Sequence, residues 1–281
     1  MRKTEAQVLV LSDLHVGLRT PSYDSNVFRR RIQQLGQDVL RIHELHLNAN
    51  DIPELHIFIL GDVVEGEAVG YQVNLQDLEL PLQAQAELAL DEVTALVDSC
   101  TAEYSRIYIE CVWGNHGRTG KFNSRTNNAD LYFYTLLRER LASRPNVAVL
   151  LPSDFYQIAN VMGWHYFLFH GHQVRFYSRT PLYGIENAVK DWIALRPQSF
   201  NAACVAHFHY AGKLRVAGRV PVLMNGCFPT DDPHSVEMIH SDGTPTQWTF
   251  GVAEKRPIAW HYELDLLTHE ERARLSEFPH E

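Results

Sequence analysis

"RIYIECVWGNHGRTGK", residues 106–121, changes character at its midpoint. The first half is an apolar, β-branched run of strand length, and the second is made of Gly, Asn, His, Arg and Lys. Near-continuous hydrophobicity suits a strand covered on both faces. A strand that ends in an amide and an imidazole aims polar groups beyond the edge of its sheet. The same construction recurs along the chain. QVLVLS (7–12) runs into Asp13 and His15, and LHIFIL (55–60) into Gly61, Asp62 and Glu65. WHYFLFH (164–170) ends in His170, AACVA (202–206) is followed by His207 and His209, and VPVLMN (220–225) is a further run of the same kind.

Between the first two runs, Phe28, Ile32, Leu35, Val39, Ile42 and Leu45 recur at steps of four and three, which predicts an amphipathic helix over 24–46 starting near Asp24. Further helices are expected over 81–101, 127–142 and 184–195. The order β, α, β, α, β, α followed by more strands predicts α/β layering around one large sheet or a pair of sheets. No repeat or low-complexity tract interrupts residues 1–267, read as one domain, and the polar stretch 268–281 is expected to be a surface helix or a frayed end.

Composition sets the class. Of the 281 residues, 45% are hydrophobic and 21% charged, ordinary values for a globular protein and unlike those of a disordered or fibrous chain. The N-terminal apolar run is too short for a signal sequence and no stretch is long enough to span a membrane, so a cytoplasmic location is expected. Four scattered cysteines, with no CxxC pair, indicate neither a disulfide framework nor a cysteine zinc site. The formal charge of −9 is unevenly spread. Residues 47–103 hold twelve acidic side chains and no Lys or Arg, whereas residues 113–180 hold eight Lys and Arg against three acids. A basic segment in an acidic chain points to a local anion site.

In layered α/β folds ligands sit beyond the carboxyl ends of the strands, so the polar groups that follow the five runs converge on one place. Two Asp, one Asn and four His offer oxygen and nitrogen donors suited to Mn, Fe or Zn. Seven donors are too many for one tetrahedral ion and suit two ions sharing a carboxylate, the arrangement that clamps both oxygens of an in-line phosphoryl displacement. Each motif alone has a plainer reading. A DxH is ordinarily a turn or a helix cap, and an HxH at a strand end a packed or surface pair. Their joint order, each after a strand, is what carries the argument.

Taken together, the motifs DLH (13–15), GDVVE (61–65), GNH (114–116), His170 and HFH (207–209) resemble those of the calcineurin-like metallophosphoesterase family, over about 70% of the chain. The fold this resemblance implies is a four-layer α/β/β/α sandwich, two mixed sheets flanked by helices. It also implies two divalent ions, manganese foremost with iron or zinc as alternatives. Asp13, His15, Asp62 and His209 would hold the first, and Asp62, Asn115, His170 and His207 the second. A metal-bridging hydroxide would be the nucleophile, Asn115 would also contact the phosphate, and His116 would protonate the departing oxygen. Glu65, at the acidic position of GDxxE, is the candidate to hold the His116 imidazolium.

Two departures stand out: Gly117 follows GNH where the family has an acid, and Ala206 replaces the glycine before HxH. Arg118, Lys121 and Arg125 follow at once and are candidate phosphate-binding residues. GNHGRTGK and the stretch around VLMNGCFP are similar to a phage-type branch of the family related to SbcD-like DNA repair exonucleases. This chain is too short after residue 209 for their DNA-binding cap, so strands near 213–225 and 257–264 are expected only to complete the second sheet. The resemblance therefore implies a phosphodiesterase or nuclease acting on DNA or another nucleic acid. A phosphomonoesterase of nucleotides or phosphoproteins, and a noncatalytic metal-binding scaffold, are the alternatives.

Overall fold

The computed structural model describes residues 2–67, 78–120, 124, 126–175, 180–195, 199–231, 245–268 and 271–273. The first half alternates as the apolar runs predict: β1 (Lys3–Leu11), α1 (Ser25–Leu47), β2 (Asn50–Ile59), α2 (Leu82–Cys100), β3 (Arg106–Cys111), α3 (Ala129–Leu141) and β4 (Val147–Leu150). Strands β1 to β4 pair in parallel. β10 (Thr246–Ala253) lies antiparallel beside β1 and β11 (Arg256–Asp265) antiparallel beside β10, giving a sheet ordered β11-β10-β1-β2-β3-β4. The second sheet, ordered β5-β6-β7-β9-β8, is built from β5 (Tyr156–Val161), β6 (Trp164–Phe169), β7 (Ala202–Val205), β8 (Gly212–Val216) and β9 (Val220–Met224). The fourth helix, α4 (Pro181–Leu195), follows β6.

Successive residues of one strand serve different cores, because side chains alternate across a sheet. Leu9, Ile57 and Ile109 pack under α1, α2 and α3, whereas Val8, Phe58, Leu168 and Phe250 fill the space between the sheets. Phe167, Phe169 and Val205 face the other way, onto Ile185 and Val189 of α4. The molecule is thus a four-layer α/β/β/α sandwich of two mixed sheets flanked by helices, and the double coverage is why its strands read as unbroken apolar runs. All four cysteines are buried free thiols.

Helix α1 begins where Asp24 caps it, its carboxylate accepting from the backbone N–H of Asn26 and Val27. Leu45, the last member of the expected apolar stripe, is 59% exposed. At 100° per residue the two final three-residue steps rotate it about 100° from Phe28, off the buried face.

One expectation fails: residues 257–264 do not join the second sheet. They form β11 on the first sheet, because β10 supplies an antiparallel partner that hydrophobicity does not announce. β10 is buried but rich in polar residues, which are satisfied internally. Gln247 accepts from Ser12 N at 2.9 Å, and the Thr249 hydroxyl donates to Val8 O at 2.9 Å. Among the described residues no helix is long and apolar enough to cross a membrane.

Candidate metal centre

Beyond the ends of β1 and β2 the chain stays paired. Asp13 N donates to Gly61 O, His15 N to Asp62 O and Val16 N to Val63 O, each at 3.1 Å. Phe228 N, after β9, donates to Asp13 O at 2.9 Å. Asp13, His15, Asp62, His207 and His209 all have positive φ, between 46° and 76°. Left-handed backbone at five non-glycine residues is strained, costing about 1 kcal/mol or more each, and such strain concentrates where function demands a particular side-chain direction. Gly61 and Gly114 allow the loops after β2 and β3 to touch: a Cβ on Gly114 would land on the Asp62 carboxylate.

The turns deliver the donors in overlapping groups. Asp13, His15 and His209 form one, Asp62, His170 and His207 another, and His15 with Asp62 and His116 a third, the ligand atoms of each lying within 4.8 Å of one another. His209 Nε2 is 3.6 Å from Asp13 Oδ1 and 3.0 Å from His15 Nε2. In the second group His170 Nε2 lies 2.9 Å from Asp62 Oδ2 and 3.1 Å from Asn115 Oδ1. All seven residues expected to bind metal are therefore gathered at one end of the two sheets, with Asp62 common to two groups.

Hydrogen bonds fix which ring nitrogens are free. His170 Nδ1 is 2.7 Å from Leu60 O, a carbonyl that can only accept, so Nδ1 carries the hydrogen. In the neutral ring Nε2 is then a lone pair facing the oxygens of Asp62 and Asn115. Asp62 Oδ2 is buried and makes no hydrogen bond in good geometry, despite that short approach. His15 Nδ1 is likewise committed, at 2.6 Å, to Glu65 Oε2, which leaves its Nε2 facing His209.

The buried carboxylates and imidazoles shift one another's proton affinity. Burial pushes the carboxyls of Asp13 and Asp62 up, but the histidines around them more than offset it and hold both below the usual range. Burial also works against protonation of His170 and His209. It is outweighed by Asp62 in the first case and by Cys227 and Asp13 in the second, so both rings sit above the usual histidine value. Converging imidazole nitrogens and carboxylates are a donor set of the kind that can hold divalent cations.

His116 stands beside this set. Its backbone N–H donates to Asp62 Oδ1 at 2.8 Å, and its Nδ1 lies 3.1 Å from Glu65 O and 3.3 Å from Glu65 Oε2. Burial lowers the affinity of the ring for a proton, yet the Glu65 and Asp62 charges raise it to about 10, while Glu65 itself falls to about 2. Glu65 thus touches His15 as well as His116 and links a metal-ligand candidate to the acid candidate.

The sequence reading missed the residue that organises these loops. Asp130, in the first turn of α3, is fully buried and accepts from Asp62 N at 3.0 Å, Val63 N at 3.1 Å and Gly114 N at 2.8 Å. Burial and the Asp62 charge push its carboxyl up to about 6. Asn128 caps the same helix, accepting from Asp130 N at 2.8 Å, and donates to Gly114 O at 2.9 Å. An acid in the first turn of a helix aimed at the strand ends was the available signal. It also explains why glycine follows GNH: a Cβ on Gly117 would strike the Asn128 amide. Ala206 is buried, and its N–H donates to His170 O at 2.8 Å. Arg118 is exposed on the turn after His116, and Lys121 and Arg125 lie outside the described residues.

No protein-family model matches the chain, and no curated protein matches it in sequence. Among solved structures it is similar to a hypothetical protein of Pyrococcus horikoshii OT3, at 14% identity and TM-score 0.46 over 98% of this chain and 95% of the other. It is also similar to Vps29 complexed with zinc from Entamoeba histolytica, at 13% identity and TM-score 0.39 over 93% and 99%. A third is the phosphopantetheinyl hydrolase of Mycobacterium tuberculosis, at 10% identity and TM-score 0.35 over 85% and 94%. Similarity this distant does not carry an activity from one protein to another.

Proposed function

We propose that the protein is a metal-dependent phosphoesterase that hydrolyses phosphodiesters, with nucleic acid as its substrate class. Asp13, His15, Asp62, Asn115, His170, His207 and His209 would hold two divalent ions, manganese foremost. The observation that supports this reading is the convergence of imidazole lone pairs and carboxylates on shared space, with Asp62 in more than one group. Two bound cations would neutralise charge on the phosphate oxygens and acidify an attacking water.

The chain's own groups have separate tasks. Asp130 fixes the loops that carry Asp62 and Asn115, so the donors are positioned before a substrate arrives. His116 Nδ1 faces the Glu65 carbonyl and therefore carries a hydrogen, which leaves Nε2 as the ring position that gives a proton to the leaving oxygen. The Glu65 carboxylate steadies the charged ring while the proton is held. Arg118, exposed on the following turn, would meet a phosphate flanking the scissile one.

The test is metal analysis of the purified protein followed by a substrate panel with Mn: a chromogenic diester, a chromogenic monoester, and single-stranded and duplex oligonucleotides. Hydrolysis that chelation abolishes and Mn restores is expected, with the diester and an oligonucleotide cleaved. Monoester hydrolysis without oligonucleotide cleavage would replace the nuclease reading by a phosphomonoesterase. Stoichiometric metal with no hydrolysis of any ester would make the protein a scaffold.

A further inference from the structure

At the opposite end of the sandwich lies a second feature, which the metal centre does not use. A groove of about 880 Å³ is lined by Trp164 at the start of β6, Lys190 of α4, Lys213 and Arg215 of β8, Arg219 of the β8–β9 turn and Arg256 at the start of β11. Among the described residues five cations line it, and no carboxylate does. Lys190 is satisfied by Glu186, 2.6 Å away on the same helix. Among the described residues Lys213, Arg215, Arg219 and Arg256 form no ion pair. In a chain of formal charge −9, four cations without a carboxylate partner, of which Lys213 has only His261 Nε2 at 3.4 Å, drawn from three elements of both sheets, are a concentration that requires an explanation.

Edge protection accounts for part of it. β8 is the edge strand of its sheet, and outward lysine or arginine discourages pairing with another chain. Period-two alternation puts Lys213 and Arg215 on the exposed face of β8 while Leu214 and Val216 turn inward. That role needs neither Arg219 in the turn nor Arg256, which reaches the same groove from the other sheet. Like charges gathered this closely repel, and Lys213 shows the effect: burial and the Arg215 charge together lower its proton affinity.

We propose that this groove binds the phosphate backbone of a single-stranded nucleic acid, as an anchoring site separate from the metal centre. Three of these four cations are arginines, whose planar guanidinium grips phosphate oxygens in pairs. Trp164 adds a fixed aromatic surface, its indole N–H held by Ala253 O at 2.9 Å, of the kind on which a base stacks. The volume is near the upper end of the ~300–1,000 Å³ range of ligand sites, far more than a lone phosphate ion needs. A concave site with an aromatic wall fits a strand better than the flat surface of a membrane. β6 runs from Trp164 to the residue before His170, so the groove and the metal centre are about 20 Å apart at ~3.3 Å per residue. A bound strand would be held at one point and presented at another.

The inference rests on the proposed function only for the kind of polymer, and its test involves no hydrolysis. The full-length protein is titrated, in chelator, against a fluorescently labelled oligo-dT of about 20 nucleotides, longer than the ~4–16 nucleotide sites typical of such grooves. Binding is followed by anisotropy across a salt series. The triple variant Arg215→Gln, Arg219→Gln, Arg256→Gln should bind roughly tenfold or more weakly and lose about two from the slope of log affinity against log salt, as expected when three single-strand phosphate contacts vanish. The substituted residues are exposed and unpaired, so thermal unfolding should not change, and hydrolysis of a small chromogenic diester should not change either. Equal binding by wild type and variant, or no binding by the wild type, overturns the proposal. So does tighter association of the wild type with anionic-lipid vesicles or polyglutamate than with the oligonucleotide. Loss of ester hydrolysis in the substrate panel, with oligonucleotide binding intact, would overturn the phosphoesterase reading and leave the groove standing.

Discussion

Replacing Asp130 with alanine strands three backbone donors at once. The N–H groups of Asp62, Val63 and Gly114 all point at this carboxylate in a fully buried place. A buried donor left without an acceptor costs about 1–3 kcal/mol. Three of them, with some rescue by water entering the space vacated, should cost about 3–6 kcal/mol. Asp130→Asn is the informative partner. One amide oxygen can still serve the two donors that share Oδ2, one N–H is left facing an amide NH₂, and the charge repelled by Asp62 disappears. Its loss should be at most about 2 kcal/mol. Urea unfolding in chelator measures both variants, and calorimetric titration with Mn then reads the consequence for the donors, because Asp62 and the loop bearing Asn115 hang from the same carboxylate. The alanine variant should bind Mn at least tenfold more weakly and the asparagine variant less severely so. Wild-type stability and Mn affinity in Asp130→Ala would refute the claim that this residue organises the centre.

Three other outcomes follow from the same geometry. Asp62→Asn should lower metal content and activity together, more severely than His207→Ala, because Asp62 belongs to two donor groups; metal analysis with a diester assay checks this. His116→Ala should keep both ions and lose roughly 10²- to 10⁴-fold in turnover, with poor leaving groups hurt more than nitrophenolate and Glu65→Gln a milder copy, whereas equal losses on both leaving groups would count against proton donation. Glu271→Gln should destabilise by about 1–3 kcal/mol, since the buried Arg31 pairs with Glu271 at 2.6 Å and also donates to Phe228 O. Burial pushes the Glu271 carboxyl up, but the Thr268 N–H and Arg31 hold it lower than usual, so its contribution is present above pH 4.5 and the gap between wild type and variant should close as pH falls below that.

The layered fold was legible wherever a strand is buried on both faces, because burial writes itself as an unbroken apolar run. It was illegible where polar residues are buried and paired. β10 hides Gln247 and Thr249 behind hydrogen bonds, whereas β3 stayed legible because its buried Glu110, 2.9 Å from His56, is a single polar residue in an apolar run. The metal-ligand candidates were legible because their chemistry is unusual and each stands at the end of a run. Asp130 was not, because an acid in the first turn of a helix is what capping alone would select. Its distinguishing property is which backbone it faces, and that depends on how α3 is docked. The groove was hidden for another reason: Lys213, Arg215 and Arg219 form a short basic run in the sequence, but Arg256 joins them only where the edge strands of two sheets meet.

The spacing of the donor motifs carries a further physical reason. In DLH and HFH the residue between the two donors is apolar, and Leu14 and Phe208 are both wholly buried, as are Val63 and Val64 after Asp62. These segments are no longer strands, yet donor and apolar side chains still alternate between site and core. The left-handed backbone at Asp13, His15, His207 and His209 is what keeps that alternation going through a tight turn. Burying a side chain the size of Leu or Phe stabilises by about 1.5–3 kcal/mol, enough to offset the strain of a flanking left-handed residue or two. The apolar spacer therefore holds the turn, and the turn aims the donors. A motif of two ligands around one hydrophobic residue is the smallest unit in which a strained backbone and its compensation occur together.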